Sequence, residues 1–501
     1  MIATVCSATL LGVDGHVVAV EVHVANGVPA FTIVGLPDTA CRESRDRVRA
    51  AISSSGLTWP QKRITVNLAP SGLRKVGTGL DLGIAIAFLV AAEQLKVSDV
   101  EAMAFIGELG LDGSIRPIDG IVPLVDAVEE RIVIVPRASA SQARLVGRHE
   151  VRGVSSLKEL VAALNGDEPW PSQPPVTDTA LVIEPDLRDV RGQPMARWAL
   201  EVAAAGNHNL LMTGPPGSGK TMLARRLPGL LPNLDANTAL TTTKVHSAAG
   251  VLDASAGLIL RPPIRSPHHT SSMVSMIGGG AGVMRPGEIS LSHGGILFLD
   301  EMNEFPPSVL DTLRQPLEEG VVRVARARAT VTYPSRFLLV GAKNPCPCGE
   351  GLTPGACRCP EATRRRYDAR VSGPLRDRFD LRVTVPRPRV DQFFSAEKGE
   401  ASLEVAARVA AAREKARQRG VTGNSDLSAE ELEEYAPLSR AASALLQSKM
   451  RAGVLTARGL HRIRRVALTL ADLDNSSILS DEHIGAALEL RPDNSYLEQA
   501  S

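Results

Sequence analysis

Eight consecutive residues, Gly214-Pro215-Pro216-Gly217-Ser218-Gly219-Lys220-Thr221, have the composition of a phosphate-binding loop. They satisfy G-x-x-x-x-G-K-[ST] and follow a short apolar run, Asn209-Leu210-Leu211-Met212-Thr213, that reads as a strand. A strand, this loop and then a helix let backbone N–H groups converge on phosphate oxygens, because glycine has no Cβ to block them. The helix points the positive end of its dipole at the same anion. Lys220 then supplies charge to the terminal phosphates of ATP, and the Thr221 hydroxyl is a ligand for Mg²⁺. The alternative is a glycine-rich turn that merely contains a lysine; the flanking strand and helix argue against it.

A second apolar run, Gly295-Ile296-Leu297-Phe298-Leu299, ends in Asp300-Glu301. Carboxylates at the end of a buried strand suit Mg²⁺ binding through Asp300 and orientation of the attacking water by Glu301. An acidic helix cap fits this motif alone but not both motifs in this order. A third strand, Phe337-Leu338-Leu339-Val340-Gly341, leads to Lys343-Asn344. Asn344 there suits a sensor of the γ-phosphate, although an Asn before Pro345 is also ordinary turn chemistry.

Four of the six cysteines crowd together as Cys346-Pro347-Cys348 and Cys357-Arg358-Cys359, across a loop containing Gly349, Gly351, Pro354 and Gly355. Four thiolates on a turn-rich loop can close a structural Zn²⁺ site, though C-x-C is tighter than the usual C-x₂₋₄-C. A reduced loop or a redox-labile pair are the other readings. Cys6 and Cys41 stand apart and read as buried apolar residues.

The 501 residues carry 56 Lys+Arg against 55 Asp+Glu and are 44% apolar, so any basic surface must be local and disorder of the whole chain is excluded. The N-terminus has no basic start, and no run of about 18 apolar residues occurs, so a cytoplasmic protein without a membrane span is expected.

The elements that must position these residues fall into segments. Residues 1–165 alternate like strands, with Val18, Val20, Val22 and Val24 on one face. Further strands are expected at 31–34, 64–68, 104–109 and 131–136, and a buried helix over 81–95. Residues 166–185 read as a Pro- and Ser-rich linker, and 186–390 hold the nucleotide motifs. Residues 391–501 turn helical: Leu460, Ile463, Val466, Leu470 and Leu473 form an apolar stripe, and Ser428-Ala429-Glu430-Glu431 a capping box.

Taken with the motifs above, Ser266-Pro267-His268-His269, Ile277-Gly278-Gly279-Gly280, Arg285-Pro286-Gly287-Glu288-Ile289-Ser290-Leu291-Ser292-His293 and Asn344-Pro345-Cys346-Pro347-Cys348-Gly349 resemble the YifB/ComM family of magnesium-chelatase-like AAA+ proteins, over nearly the whole chain. The resemblance implies an α/β fold: an N-terminal Lon-protease-like α/β domain, a central AAA+ P-loop domain with an insert in its second helix and a hairpin before sensor 1, and a C-terminal helical lid. It implies a homo-oligomeric, hexameric ring and, for ComM-type members, branch migration on DNA during natural transformation. Ser372-Gly373-Pro374-Leu375-Arg376-Asp377-Arg378-Phe379-Asp380 resembles the family's S-G-P-L-L-D-R-I-D, which makes Arg378 the arginine finger; Arg376 stands where the family has Leu. Thr456-Ala457-Arg458-Gly459 resembles sensor 2, with Arg458 as a second cation on the phosphate. Either arginine read alone is an ordinary exposed helix charge.

By position in the family, Val321–Val331 is the hairpin that projects into the ring pore, so Arg323, Arg326 and Arg328 would touch DNA phosphates without reading sequence. From charge alone a solvated hairpin fits equally. Arg408, Arg413, Lys415, Arg417 and Arg419 read as a solvated helix or subunit rim. Aromatic residues make up 3% of the chain, so base stacking is not expected, and the expected partner is branched or single-stranded DNA bound without sequence preference.

Phe105–Ile118 and Asn67–Ala85 resemble the Lon-protease-type domain, whose helix carries a nucleophilic Ser activated by a Lys. Asp81 stands at that position and Ile121-Val122-Pro123-Leu124 offers no Lys, so no acyl chemistry is expected. Ser71 and Lys75 are a conceivable substitute pair. The leading expectation is an ATP-driven motor on DNA. The alternatives are a magnesium-chelatase-type motor acting on a protein partner and an ATP-switched scaffold or chaperone.

Overall fold

Alternation buries Val18, Val20, Val22 and Val24 together, and their strand sits in the middle of a large sheet. The structure is a computed structural model that describes residues 1–95, 100–172, 184–253, 256–280, 284–326, 329–352, 355–387 and 399–492, the side chains of 101, 326 and 329 excepted. Much of the expected linker, residues 173–183, lies outside the described residues, as do Arg328, Pro354 and the side chain of Arg326.

The N-terminal sheet is seven-stranded and mixed, in the order β3-β4-β2-β1-β5-β8-β9. Its strands are β1 (Ile2–Leu11), β2 (Asp14–Ala25), β3 (Ala30–Val34), β4 (Arg63–Ala69), β5 (Met103–Phe105), β8 (Ile132–Pro136) and β9 (Glu150–Val154); β6 (Glu108–Leu109) and β7 (Ile115–Arg116) form a separate ribbon. The single strand expected over 104–109 is therefore broken. At the break Gly107 donates its N–H to the Gly79 carbonyl and accepts from Leu82 N–H, so the chain leaves the sheet to meet the start of a helix.

That helix, Asp81–Ala91, is apolar on every side and buried on every side. It stops short of the expected Leu95 because Glu93 turns left-handed, at φ 60°. Asp81 is fully buried and accepts from Arg47 Nε at 2.6 Å, Arg47 Nη2 at 3.0 Å, Leu109 N–H at 3.3 Å and the Ser44 hydroxyl. The aspartate thus tethers two helices and the ribbon. Lys75, also fully buried, donates to the Pro70 carbonyl, whereas Ser71 is exposed; no hydrogen bond joins the two among the described residues. Cys41 is buried as expected, but Cys6 is only half-buried.

The second sheet is five-stranded and parallel, in the order β11-β14-β17-β10-β18, from β10 (Leu210–Thr213), β11 (Ile264–Arg265), β14 (Ile296–Leu299), β17 (Leu338–Lys343) and β18 (Leu381–Thr384). Two small ribbons accompany it: β12 (Gly278–Gly279) with β13 (Arg285–Pro286), and the hairpin β15 (Val321–Arg326) with β16 (Ala329–Pro334). The helices Ser402–Gln418, Ala429–Tyr435, Arg440–Arg451, Ala457–Leu473 and Asp481–Glu489 follow. Ile463, Val466 and Leu470 join Leu210, Met212 and Val340 in one apolar core, so the helical segment docks directly on the sheet. Ser428 and Glu431 form the expected capping box. No helix among the described residues is long and apolar enough to cross a membrane.

Asp81→Ala would leave Arg47 and Ser44 without their shared acceptor inside the core. It should cost about 3 kcal/mol, read by calorimetry as a fall in the midpoint of the N-terminal unfolding transition.

Candidate functional site

Parallel pairing decides where the chemistry collects. β17 lies between β10 and β14, with Thr213 opposite Lys343 and Leu299 opposite Gly341. The glycine-rich loop leaves β10, Asn344 leaves β17 and Asp300-Glu301 leave β14, all at one edge. In an open α/β sheet, ligands bind at this carboxyl edge.

In the loop, Gly217 and Gly219 hold φ of 76° and 93°, conformations that cost an L-residue energy, and the helix Lys220–Ala224 starts immediately after. Lys220 Nζ donates to the carbonyls of Gly214 (2.7 Å) and Pro215 (2.9 Å) and to Asn344 Oδ1 (3.3 Å), and burial pulls its pKa down. Neutral carbonyls are weak partners for a buried ammonium group, so a polyphosphate oxygen competes well for it. Thr221 Oγ1 donates to Asp300 Oδ2 at 2.5 Å. Two convergent oxygen ligands suit a hard cation such as Mg²⁺.

Glu301 has a left-handed backbone, φ 50°, its N–H donating to Asp300 Oδ1 at 3.0 Å. Its carboxylate lies 3.4 Å from His269 Nδ1, and the His269 ring packs 4.1 Å from His268 with the edge of Phe305 6.5 Å away. Sequence reasoning quoted His269 in a motif and gave it no role. The pairing of β11 with β14 brings it to the carboxylate, and only its position soon after an apolar strand could have hinted at this. Gln193 was missed altogether. It is buried, donates to the Ser218 carbonyl at 3.3 Å and to the Pro386 carbonyl, and thereby braces the loop.

The cysteines come together as their spacing anticipated. The four sulfurs lie within 4.8 Å of one another, with Cys346–Cys348 at 3.2 Å, Cys346–Cys357 at 3.6 Å and Cys348–Cys357 at 3.7 Å. A tetrahedral Zn²⁺ with bonds of about 2.3 Å needs sulfurs roughly 3.8 Å apart, so the set fits that ion. The Glu350 backbone N–H and the neighbouring thiols pull Cys348 down to about 6, while burial pushes Cys346 up to about 12. The cysteine loop also touches the phosphate loop. Gly349 is left-handed at φ 82°, and a Cβ there would stand 2.4 Å from Pro216 Cδ.

Arg378 and Arg458 do not join this edge. The Arg378 carbonyl accepts from Asn209 Nδ2, and Asn209 immediately precedes β10, so Arg378 lies at the end of the strand opposite the phosphate loop. Its side chain pairs with Glu318 and faces a cleft of about 650 Å³ shared with Arg462 and Arg465. Burial and the nearby cations Arg462, Arg458 and Arg314 pull its pKa down, which puts Arg458 in the same neighbourhood. Arg376 is occupied by Asp368. In the helix Ser402–Gln418 and just after it, Arg408, Arg413, Lys415, Arg417 and Arg419 all have partners within the chain, and Arg419 is held by the buried Asp472 rather than solvated. The hairpin buries Val322, Val324, Val331 and Tyr333 and exposes Arg323, which pairs with Glu319.

The family profile described as magnesium chelatase, subunit ChlI, matches residues 186–393; those for subunit ChlI of Mg-chelatase and the ChlI C-terminal region match 20–139 and 399–491. An uncharacterized protein of Mycobacterium tuberculosis is 44% identical over 97% of each chain. YifB of Escherichia coli is 40% identical over 96% of this chain and 95% of its own. Competence protein ComM of Haemophilus influenzae is 40% identical over 98% and 97%.

Gly349→Ala adds a strained φ and a clash with Pro216. It should lower stability by about 1–2 kcal/mol and weaken nucleotide binding in a fluorescent-nucleotide titration, whereas Gly355→Ala, with open space around it, should leave nucleotide affinity unchanged.

Proposed function

The chain belongs to the YifB/ComM family of magnesium-chelatase-like AAA+ proteins, and from that premise we propose that it is an ATPase whose subunits form a ring that remodels or translocates on branched DNA. The observation that carries the shared-site part of this reading is the separation of Lys220 and Arg378 by the length of β10. Four residues at about 3.3 Å each put them too far apart for one phosphate to touch both within a subunit. A finger role for Arg378 therefore requires a neighbouring copy, and Arg458 beside it would reach the same phosphate.

In this mechanism the loop N–H groups and Lys220 hold the phosphates, and Asn344 fixes the terminal one. Thr221 and Asp300 would hold Mg²⁺, which supplies charge neutralisation on the phosphate oxygens when bound. Glu301 accepts a proton from water at a carboxylate oxygen and aligns that water on the γ-phosphorus. Arg378 and Arg458 neutralise the charge that builds on the phosphoryl oxygens. The cysteine quartet Cys346, Cys348, Cys357 and Cys359 would hold a structural Zn²⁺. The division into 1–165, 166–185, 186–390 and 391–501 belongs to the same proposal. The first segment is read as a Lon-type module without acyl chemistry, supported by the ion-paired Asp81.

The DNA assignment is supported by the exposed Arg323 on a hairpin whose other face is packed down, and by the name of the competence protein relative. A motor acting on a protein partner instead is favoured by the chelatase profiles. ATPase rate against single-stranded, duplex, forked and four-way DNA separates the two. Stimulation by forked or four-way DNA is expected, and no change in rate or assembly with any of them defeats the DNA reading.

Lys220→Ala should abolish nucleotide binding. Glu301→Gln should retain binding and assembly while turnover falls by about 10²–10⁴-fold. Arg378→Ala should also lose turnover, yet mixing it with Lys220→Ala subunits should restore part of the activity, because each defect then sits in a different half of the shared site. Metal analysis should find one Zn²⁺ per chain, and Cys357→Ser should lose it together with thermal stability.

A further inference from the structure

The helix Glu361–Asp368 carries three consecutive arginines, Arg364, Arg365 and Arg366, and all are exposed. Arg358 is exposed in the cysteine loop just before it and Arg370 just after it. Tyr367 is buried and fixes the inner side, so the three arginines fan over the outer side about 100° apart. Arg365 pairs with Glu361 and Arg370 lies 3.2 Å from Glu304. Among the described residues, no carboxylate comes within ion-pairing distance of Arg358, Arg364 or Arg366. The other acid of the segment, Asp368, is already held between Lys343 and Arg376.

The same helix is bonded to both catalytic strand ends. Tyr367 Oη donates to Glu304 Oε1 at 3.0 Å, and Asn303 Nδ2 donates to the Tyr367 carbonyl at 2.7 Å, in the turn that begins with Glu301. Asp368 accepts from Lys343, the residue before Asn344. A load on the outer arginines is thus one residue away from bonds that hold the base and the sensor.

We propose that this arginine face binds the phosphate backbone of nucleic acid, and that Tyr367 and Asp368 transmit its engagement to the nucleotide site. The inference deepens the DNA reading above and rests on it. Guanidinium forks match phosphate oxygens, and splayed arginines reach successive phosphates. The helix has no exposed aromatic or large aliphatic side chain, which a protein partner would need as an anchor; its other exposed residues are Glu361 and Ala362.

The test uses the full chain and a fluorescein-labelled forked duplex, read by anisotropy from low to moderate salt. Arg364→Ala/Arg366→Ala should weaken binding about tenfold and lower the slope of log affinity against log salt by about two, with thermal midpoint and fluorescent-ATP affinity at wild-type values. Tyr367→Phe should bind the fork normally but lose its stimulation of ATP turnover. Polyglutamate at equal charge should not displace the fork.

If the double variant keeps the wild-type affinity and slope, the inference falls and the DNA reading stands. If the wild-type chain itself ignores the fork, both fall. A double variant that loses stability or ATP affinity marks the arginines as structural and overturns the proposal, as does displacement by polyglutamate. Stimulation that survives in Tyr367→Phe removes the transmitted part.

Discussion

The central constraint is the placement of β17 between β10 and β14 in parallel register. A polyphosphate with its metal carries several charges within a few ångströms. In the proposed function, cation, metal ligands and base must meet it without reorganising. Parallel strands meet that demand because they end at a common edge, and each end there is extended by one functional residue or loop. Gln193 beneath the loop, His269 against Glu301 and Gly349 against Pro216 are local supports for that edge. The helical segment contributes by closing one apolar core with the same strands.

The two edges of the sheet are chemically different. The carboxyl edge gathers Lys220, Thr221, Asp300, Glu301 and Asn344. The opposite end of β10 has Arg378, with Arg458 and Arg462 close by. In the proposed function, a subunit built this way presents phosphate and metal ligands on one side and, on the other, arginines paired within the chain to Glu318 and Asp377. It is suited to head-to-tail association, in which each contact repeats the last.

Much of the first edge was legible in the sequence because its chemistry is contiguous. A phosphate loop is made of backbone geometry, and eight adjacent residues specify it. The gathering of the cysteine quartet was legible for the same reason, since its four sulfurs lie within one short loop. Asp81 was readable as the absence of a nucleophile, but its actual work depends on Arg47, which approaches only when two helices pack. His269 escaped notice because strand pairing, not spacing, puts it on Glu301. Arg364–Arg366 went unnoticed because a charge run carries no message until its partners, or lack of them, are known. The strand expected over 104–109 failed where the backbone at Gly107 was needed by a helix start.

The close approach of Gly349 to Pro216 ties the cysteine loop to the glycine-rich loop, and in the proposed function the two take chemically unrelated ligands. Coupling between two binding sites is a free energy that belongs to both, so its effect is reciprocal. Whatever factor an ion in the cysteine loop adds to nucleotide affinity, nucleotide must add to the affinity for that ion. In the proposed ATPase, a subunit passing from ATP-bound to empty would change its grip on such an ion once per turnover, so that metal retention would report how long the site stays filled.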